Sequence, residues 1–214
     1  MGKRKTEKVL FWNVDTQNDF MLKDGKLSVP DAGRIVKNLK TLTRLAKEKG
    51  IQVVSTCDWH NSATYEISHT PDFKSKFPEH CMENTDGAKF IPETMPDESD
   101  SIEVDWDIVN SEEDNVIVAG MRNIILKKDK FDAFEGNPNT DALLRELKPT
   151  LVYVYGVASE VCVNFAILGL LKRGYEVVIV IDAIQGLGDA KAVASFIDTW
   201  TKMGAKLHTT AQIA

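Results

Sequence analysis

The chain has 214 residues, 43% hydrophobic and 27% charged, with a net charge of −6 at neutral pH. That length fits one domain, 1–214, around a single core; no run approaches the ~18 apolar residues of a membrane-spanning helix, and acids outnumber bases, so no field attracts a phosphate backbone. A soluble cytoplasmic protein with no nucleic-acid or membrane partner is therefore expected. The opening MGKRKTEK is basic but leads into a short strand-like run, not a secretory apolar segment, and reads as frayed lead-in.

In chain order, VLFWNVD (Val9 to Asp15) reads as a buried strand. AGRIVKNLKTLTRLAKEKG then carries Ile35, Leu39, Leu42, Leu45 and Ala46 at helical spacing, with Gly50 as a C-terminal stop. IQVVST is the next strand and completes a β-α-β unit. From Asp58 to about Ser101 the chain is irregular, punctuated by proline and longer than an ordinary connection, so residues 57–101 are expected to be a functional insertion. Of NVIVAG (115–120) and RNIILKK (122–128), at least one is expected to be a strand. Then follow a helix TDALLRELK, a strand LVYVYG, a helix VCVNFAILGLLKRG, a strand YEVVIVID, a helix through AKAVASFIDTWTKMG and a final AKLHTT. Nearly all-apolar strands separated by helices predict an α/β fold in three layers around a mostly parallel sheet. Sites in such sheets form at the carboxyl ends of strands, and here those ends carry Asp15, Asp58, Lys128 and the turn before Cys162.

Three cysteines, Cys57, Cys81 and Cys162, are an odd number and favour free thiols. Gly156 lets the chain turn after its strand and leaves Cys162 near the first turn of the next helix, where free amides and the dipole are expected to lower the thiol pKa. The competing reading is a packed thiol in an apolar helix. Asp15, in VDTQNDF with Asn18, Asp19 and Phe20, is placed to accept a thiol proton or merely to cap a turn. Lys128, in ILKKDKFDAFEG, could hold a thiolate and a carboxylate together or be a surface lysine.

The stretch CDWHNSATYEISHTPDFKSKFPEHC, Cys57 to Cys81, holds three of the four histidines. Asp58 and His60 stand two apart on an extended segment and point to one side, and His80 returns after the loop. Mixed nitrogen and carboxylate donors suit one divalent ion, Zn²⁺ first and Fe²⁺ or Mn²⁺ as alternatives, acting as a Lewis acid. Glu66 or His69 could complete the shell. A structural zinc site from Cys57, His60, His80 and Cys81 is disfavoured, because adjacent His80 and Cys81 cannot easily chelate one ion. Histidines simply solvated in a loop are the bland alternative.

Together VDTQNDF, DWH with FPEHC, KKDKFDAF, and GVASEVCV with RGYEVVIVIDA resemble the successive motifs of the isochorismatase-like cysteine hydrolases, in the same order. The resemblance implies a catalytic set of Asp15, Lys128 (not the adjacent Lys127) and Cys162. It also implies a cis peptide at Val157 to Ala158 and an oxyanion hole from the Ala158 and Cys162 amides. D-x-H with a later P-x-H-C is similar to the nicotinamidase branch, which implies a metal on Asp58, His60 and His80, with Glu66 a direct or water-mediated ligand. Phe20, Phe77, Phe131 and Val157, with Trp59 nearby, then wall a flat ring. The implied reaction is metal-dependent hydrolysis of nicotinamide, a small carboxamide, through a thioester. Alternatives are another small amide, carbamoyl or ureide substrate, isochorismate hydrolysis, or a non-catalytic α/β binding module. Homo-oligomerisation is left open.

Overall fold

A computed structural model describes residues 7–106, 118 and 120–214. The strands are β1 (Val9–Val14), β2 (Gln52–Asp58), β3 (Ser101–Val104), β4 (Asn123–Lys128), β5 (Leu151–Val157), β6 (Glu176–Gln185) and β7 (Lys206–His208). The helices are α1 (Asn18–Met21), α2 (Val36–Lys49), α3 (Ala133–Gly136), α4 (Thr140–Leu147), α5 (Cys162–Lys172), α6 (Ala190–Lys202) and α7 (Thr210–Ile213). The strands form one sheet in the order β3-β4-β2-β1-β5-β6-β7, and every pairing is parallel.

The layering follows from the period of two along each strand. Leu10, Trp12 and Val14 of β1 face one side, where they join Leu143, Leu144 and Leu147 of α4, Val163, Ala166, Ile167 and Leu170 of α5, and Trp200 of α6. Phe11 faces the other, with Leu39, Leu42, Leu45 and Ala46 of α2. Both faces of the sheet are thus covered, which is why its strands read as apolar runs and not as alternating ones. α2 ends as its sequence predicts, with Gly50 in the left-handed region at φ 64° and its N–H donating to Ala46 O.

Chain order reverses at the centre of the sheet. β2, β4 and β3 lie to one side of β1, while β5, β6 and β7 lie to the other. The crevice beyond the carboxyl ends of β1 and β5 is the topological switch point, where open α/β sheets take their ligands. The close approach there depends on one residue: Gly156 has φ 121°, and a Cβ on it would stand 2.1 Å from Val14 O.

The predicted order of strands and helices is found, with differences at the margins. β3 was not anticipated: it is a short edge strand with half-buried Ser101 and Ile102 and an exposed Glu103, too polar to read as an apolar run. β6 continues to Gln185, past the expected end at Asp182. RNIILKK supplies β4. The run 115–120 lies outside the described residues except for Val118 and Gly120, and so do lead-in residues 1–6. Among the described residues no helix is long and apolar enough to cross a membrane.

Candidate active site

Four strand ends converge. Asp58 and Lys128 are register partners at the ends of β2 and β4. Asp15 follows β1, with its N–H donating to Thr56 O, and takes φ 47°, a left-handed conformation uncommon outside glycine. Cys162 opens α5 directly beyond β5. All four are buried, Asp15 and Lys128 completely.

Lys128 Nζ is the hub. It pairs with Asp58 Oδ1, stands 3.0 Å from Asp15 Oδ2 and donates to Cys162 Sγ at 3.8 Å. Carboxylate oxygens of Asp15 and Asp58 and the Cys162 sulfur lie within 4.8 Å of one another. Thr56 Oγ1 donates to Asp15 Oδ1 at 2.6 Å and fixes that carboxylate from behind. The choice between Lys127 and Lys128 reduces to strand alternation: Lys127 points the other way, to Glu103 Oε2 at 2.5 Å and Asp105 Oδ1 at 2.9 Å.

The electrostatics follow from burial and this pairing. Burial alone disfavours the Lys128 ammonium, yet Asp15, Asp58 and Cys162 around it hold its pKa well above the ordinary lysine value. Burial raises Asp15 above the ordinary carboxylate range, Lys128 opposing and Asp58 reinforcing. Burial also works against the Asp58 carboxylate, but Lys128, His60 and His80 outweigh it and keep its pKa well below the ordinary value. Cys162 corrects the sequence expectation. Burial, reinforced by Asp15 and Asp58, pushes its thiol well above the ordinary value despite Lys128, so the helix start does not yield a resting thiolate.

A second group shares Asp58. Its Oδ2 lies 3.6 Å from His60 Nε2 and 3.5 Å from His80 Nε2, and the two imidazole rings are 4.8 Å apart at their centroids. Donor atoms of Asp58, His60 and His80 form a cluster able to hold a metal ion. The donors suit one. Among the described residues, neither buried ring nitrogen of His60 has a hydrogen-bond partner, a costly state that a ligand bond would relieve. His80 Nδ1 donates to Pro78 O at 2.8 Å, which in the neutral ring leaves the Nε2 lone pair on the Asp58 side, where a metal could take it. Cys57 and Cys81 are free, buried and outside that cluster, so the structural zinc alternative finds no support.

Glu66 is buried but also outside the cluster; its Oε1 accepts from Phe131 N at 3.0 Å, and burial, reinforced by Asp58, raises its pKa to about 7. His69 is exposed. A cavity of about 190 Å³ opens onto both groups, lined by Asp58, Glu66, His80 and Cys162 together with Phe20, Phe77, Phe131 and Val157. Ala158 is also on its wall, and the peptide before it is cis. Trp59 is a correction: it is not in the lining. Standing between Asp58 and His60, it points to the opposite side, where the Lys127 ammonium sits 4.5 Å over its ring.

Sequence reasoning passed over the residues that hold this loop in place. The buried Gln17 side chain accepts from Asp58 N and donates to Asp58 O and Ala88 O, each at 2.8 Å, so it pairs with Asp58 as a strand would. Asp19 accepts from Cys81 N at 2.7 Å, next to His80, and from Lys26 N at 3.1 Å. Leu27, Val29, Phe73, Val161 and Leu187 of the cavity wall also went unread.

Comparison with known proteins gives a consistent set of relatives. The family model for the isochorismatase domain matches residues 9–105 and 101–212. The nicotinamidase of Escherichia coli is 26% identical over 191 residues, covering 81% of this chain and 81% of the relative. The nicotinamidase/pyrazinamidase of Mycobacterium tuberculosis is 27% identical over 186 residues, covering 85% and 89%. The crystal structure of the pyrazinamidase of Pyrococcus horikoshii in complex with zinc superimposes with a TM-score of 0.72 at 27% identity, covering 94% of this chain and 99% of that one.

Proposed function

This chain belongs to the isochorismatase family, and on that premise we propose that it is a metal-dependent cysteine amidohydrolase that converts nicotinamide to nicotinate and ammonia through a thioester on Cys162. We assign it one hydrolase domain in which residues 57–101 are the metal-binding and pocket insertion. The observation that carries the reading is the position of the Cys162 sulfur: 3.8 Å from Lys128 Nζ, within 4.8 Å of an Asp15 carboxylate oxygen, and in a cavity that Asp58 and His80 also line. The cavity, about 190 Å³, lies below the roughly 300–1,000 Å³ of sites for drug-sized ligands, in keeping with a single small ring.

Because burial keeps Cys162 a neutral thiol, attack requires that its proton leave as the new bond forms. Asp15 is the base. Burial makes it more basic than an exposed carboxylate, and Lys128 balances its charge. The Cys162 proton passes to Asp15 while the sulfur bonds to the carboxamide carbon, and the carbonyl electrons move onto oxygen. The Ala158 and Cys162 amides are assigned to that oxyanion. Collapse of the adduct breaks the C–N bond, and Asp15 returns the proton to departing ammonia. Water then attacks the thioester carbon and gives a proton to Asp15; the C–S bond breaks, Asp15 returns that proton to the Cys162 sulfur, and the released acid ionises to nicotinate.

Asp58, His60 and His80 would hold the divalent ion; when bound it supplies a Lewis-acid position for the ring nitrogen. Zn²⁺ is our assignment, supported by the donor set and by the zinc in the Pyrococcus relative, with Fe²⁺ or Mn²⁺ accepted by the same donors. Phe20, Phe77 and Phe131 would wall the ring and exclude water. The test is ammonia release from nicotinamide and from ureides such as N-carbamoyl amino acids, with and without chelator. Nicotinamide hydrolysis that a chelator abolishes and Zn²⁺ restores is expected; turnover of ureides with none of nicotinamide would overturn the assignment.

A further inference from the structure

Glu160 stands two residues before Cys162, in the turn between β5 and α5, and is half-buried. It does not line the cavity. Its carboxylate reaches instead across to the turn between β6 and α6, where Oε2 accepts from Leu187 N at 2.9 Å and Oε1 from Gly188 N at 2.8 Å. Two consecutive amides on one carboxylate make a charge-assisted clamp of fixed geometry. Gly186 is buried, and a Cβ there would stand 2.4 Å from Glu160 Oε2, so the turn is shaped around that carboxylate.

The ends of the same turn are anchored separately. Ser159 N donates to Gln185 O at 3.0 Å on one side, and the Asp189 side chain caps α6 by accepting from Ala192 N at 2.9 Å on the other. Between those anchors, the Glu160 carboxylate is what holds the amides of residues 187 and 188. The residue so carried is Leu187, 48% exposed yet part of the cavity wall with Cys162. A half-exposed leucine has too little packing to fix its own position, so the backbone beneath it must do so.

We propose that Glu160 is a positioning residue: by clamping the 186–188 turn it sets Leu187 as an apolar wall against the face of a flat aromatic carboxamide. This rests on the nicotinamide reading of the site. It joins the turn that precedes the cysteine to the turn that carries Leu187.

Steady-state kinetics on nicotinamide with the zinc-loaded protein test it. Glu160→Ala should raise KM about tenfold while kcat stays within about threefold, because the lost contact is made equally in the ground and transition states. Leu187→Ala should raise KM similarly, and the double variant should be no worse than the Leu187→Ala single, as expected when one residue acts through the other. Glu160→Gln, whose amide oxygen can still accept one of the two N–H groups, should fall between wild type and Glu160→Ala. An unchanged KM in Glu160→Ala, or losses that multiply in the double variant, would overturn the proposal, and Glu160→Gln with Leu187→Ala carries the test if Glu160→Ala does not fold. Two readouts do not depend on turnover. Hydrogen exchange of the Leu187 and Gly188 amides and iodoacetamide alkylation of Cys162 should both speed up several-fold in Glu160→Ala while strand amides stay protected; no change in either contradicts the clamp. If wild type leaves nicotinamide intact, the substrate reading fails, while these two readouts still decide the clamp.

Discussion

The two halves of the candidate site are built in different ways. Asp15, Lys128 and Cys162 sit at or just beyond the ends of β1, β4 and β5, so the parallel ladders that make the core also fix their spacing. His60, Glu66 and His80 come from the segment between β2 and β3, which among the described residues has only two short 3₁₀ turns and three isolated bridges, Gln17 with Phe90, His60 with Met82, and Ile67 with Phe77. There, single side chains do what ladders do elsewhere: Gln17 holds Asp58 and Ala88, and Asp19 holds Cys81. Asp58 belongs to both halves, as register partner of Lys128 and nearest acid to both histidines. The difference separates failure modes. Damage to the strand half unbalances buried charge, whereas damage to the loop half is expected to loosen the proposed metal site and leave the sheet intact.

The sharpest way to break that contrast is Lys128→Ala. It leaves Asp15 and Asp58 buried against each other without their shared cation, and loss of one partner in a buried charge group costs about 3–5 kcal/mol. Denaturant unfolding should show that loss, together with near-complete loss of ammonia release. A variant as stable as wild type would mean that water reaches the carboxylates. In the loop half, His80→Ala should leave a folded sheet by circular dichroism but lower zinc affinity by about 100-fold or more, read by competition with a chelating dye. Undiminished zinc binding would remove His80 from the ligand set. Asp19→Ala, which deletes the acceptor for Cys81 N and Lys26 N, should cost about 2 kcal/mol in unfolding free energy and weaken zinc binding without touching a proposed ligand.

The smallest effect concerns pH. Burial raises Glu66 from an ordinary 4.5 to about 7. With the folded pKa above the unfolded one, the contribution of neutral Glu66 is fully present below pH 4.5 and is lost as pH rises through about 7. Metal-free Glu66→Gln should therefore gain in Tm relative to metal-free wild type between pH 4.5 and 8. A constant difference across that range would show that Glu66 ionises as a solvated carboxylate does.

Legibility in the sequence followed the same division. The strands of the core could be read because burial on both faces writes itself as apolar runs, and the strand ends then pointed to Asp15, Asp58, Lys128 and Cys162. β3 was not legible, since an edge strand with an exposed Glu103 lacks that signature. Gln17 and Asp19 were not legible either: the loop atoms they hold, Asp58, Ala88 and Cys81, lie 41 to 71 residues away, and nothing local signals such a bond. The direction of the Cys162 shift was misread because a helix start is visible in a sequence, whereas the packing that buries it is not. Trp59 is a different case. The alternation that put Asp58 and His60 on one side already placed Trp59 on the other, and the reading did not follow its own period.

The central claim is that Cys162 is the nucleophile of an amide hydrolysis. Ammonia release from nicotinamide, measured for zinc-loaded wild type and Cys162→Ala side by side, tests it most directly. The account predicts turnover by wild type and a loss of about 10⁴-fold or more in kcat for the variant, with zinc content and fold unchanged. Cys162→Ala releasing ammonia at the wild-type rate would contradict it.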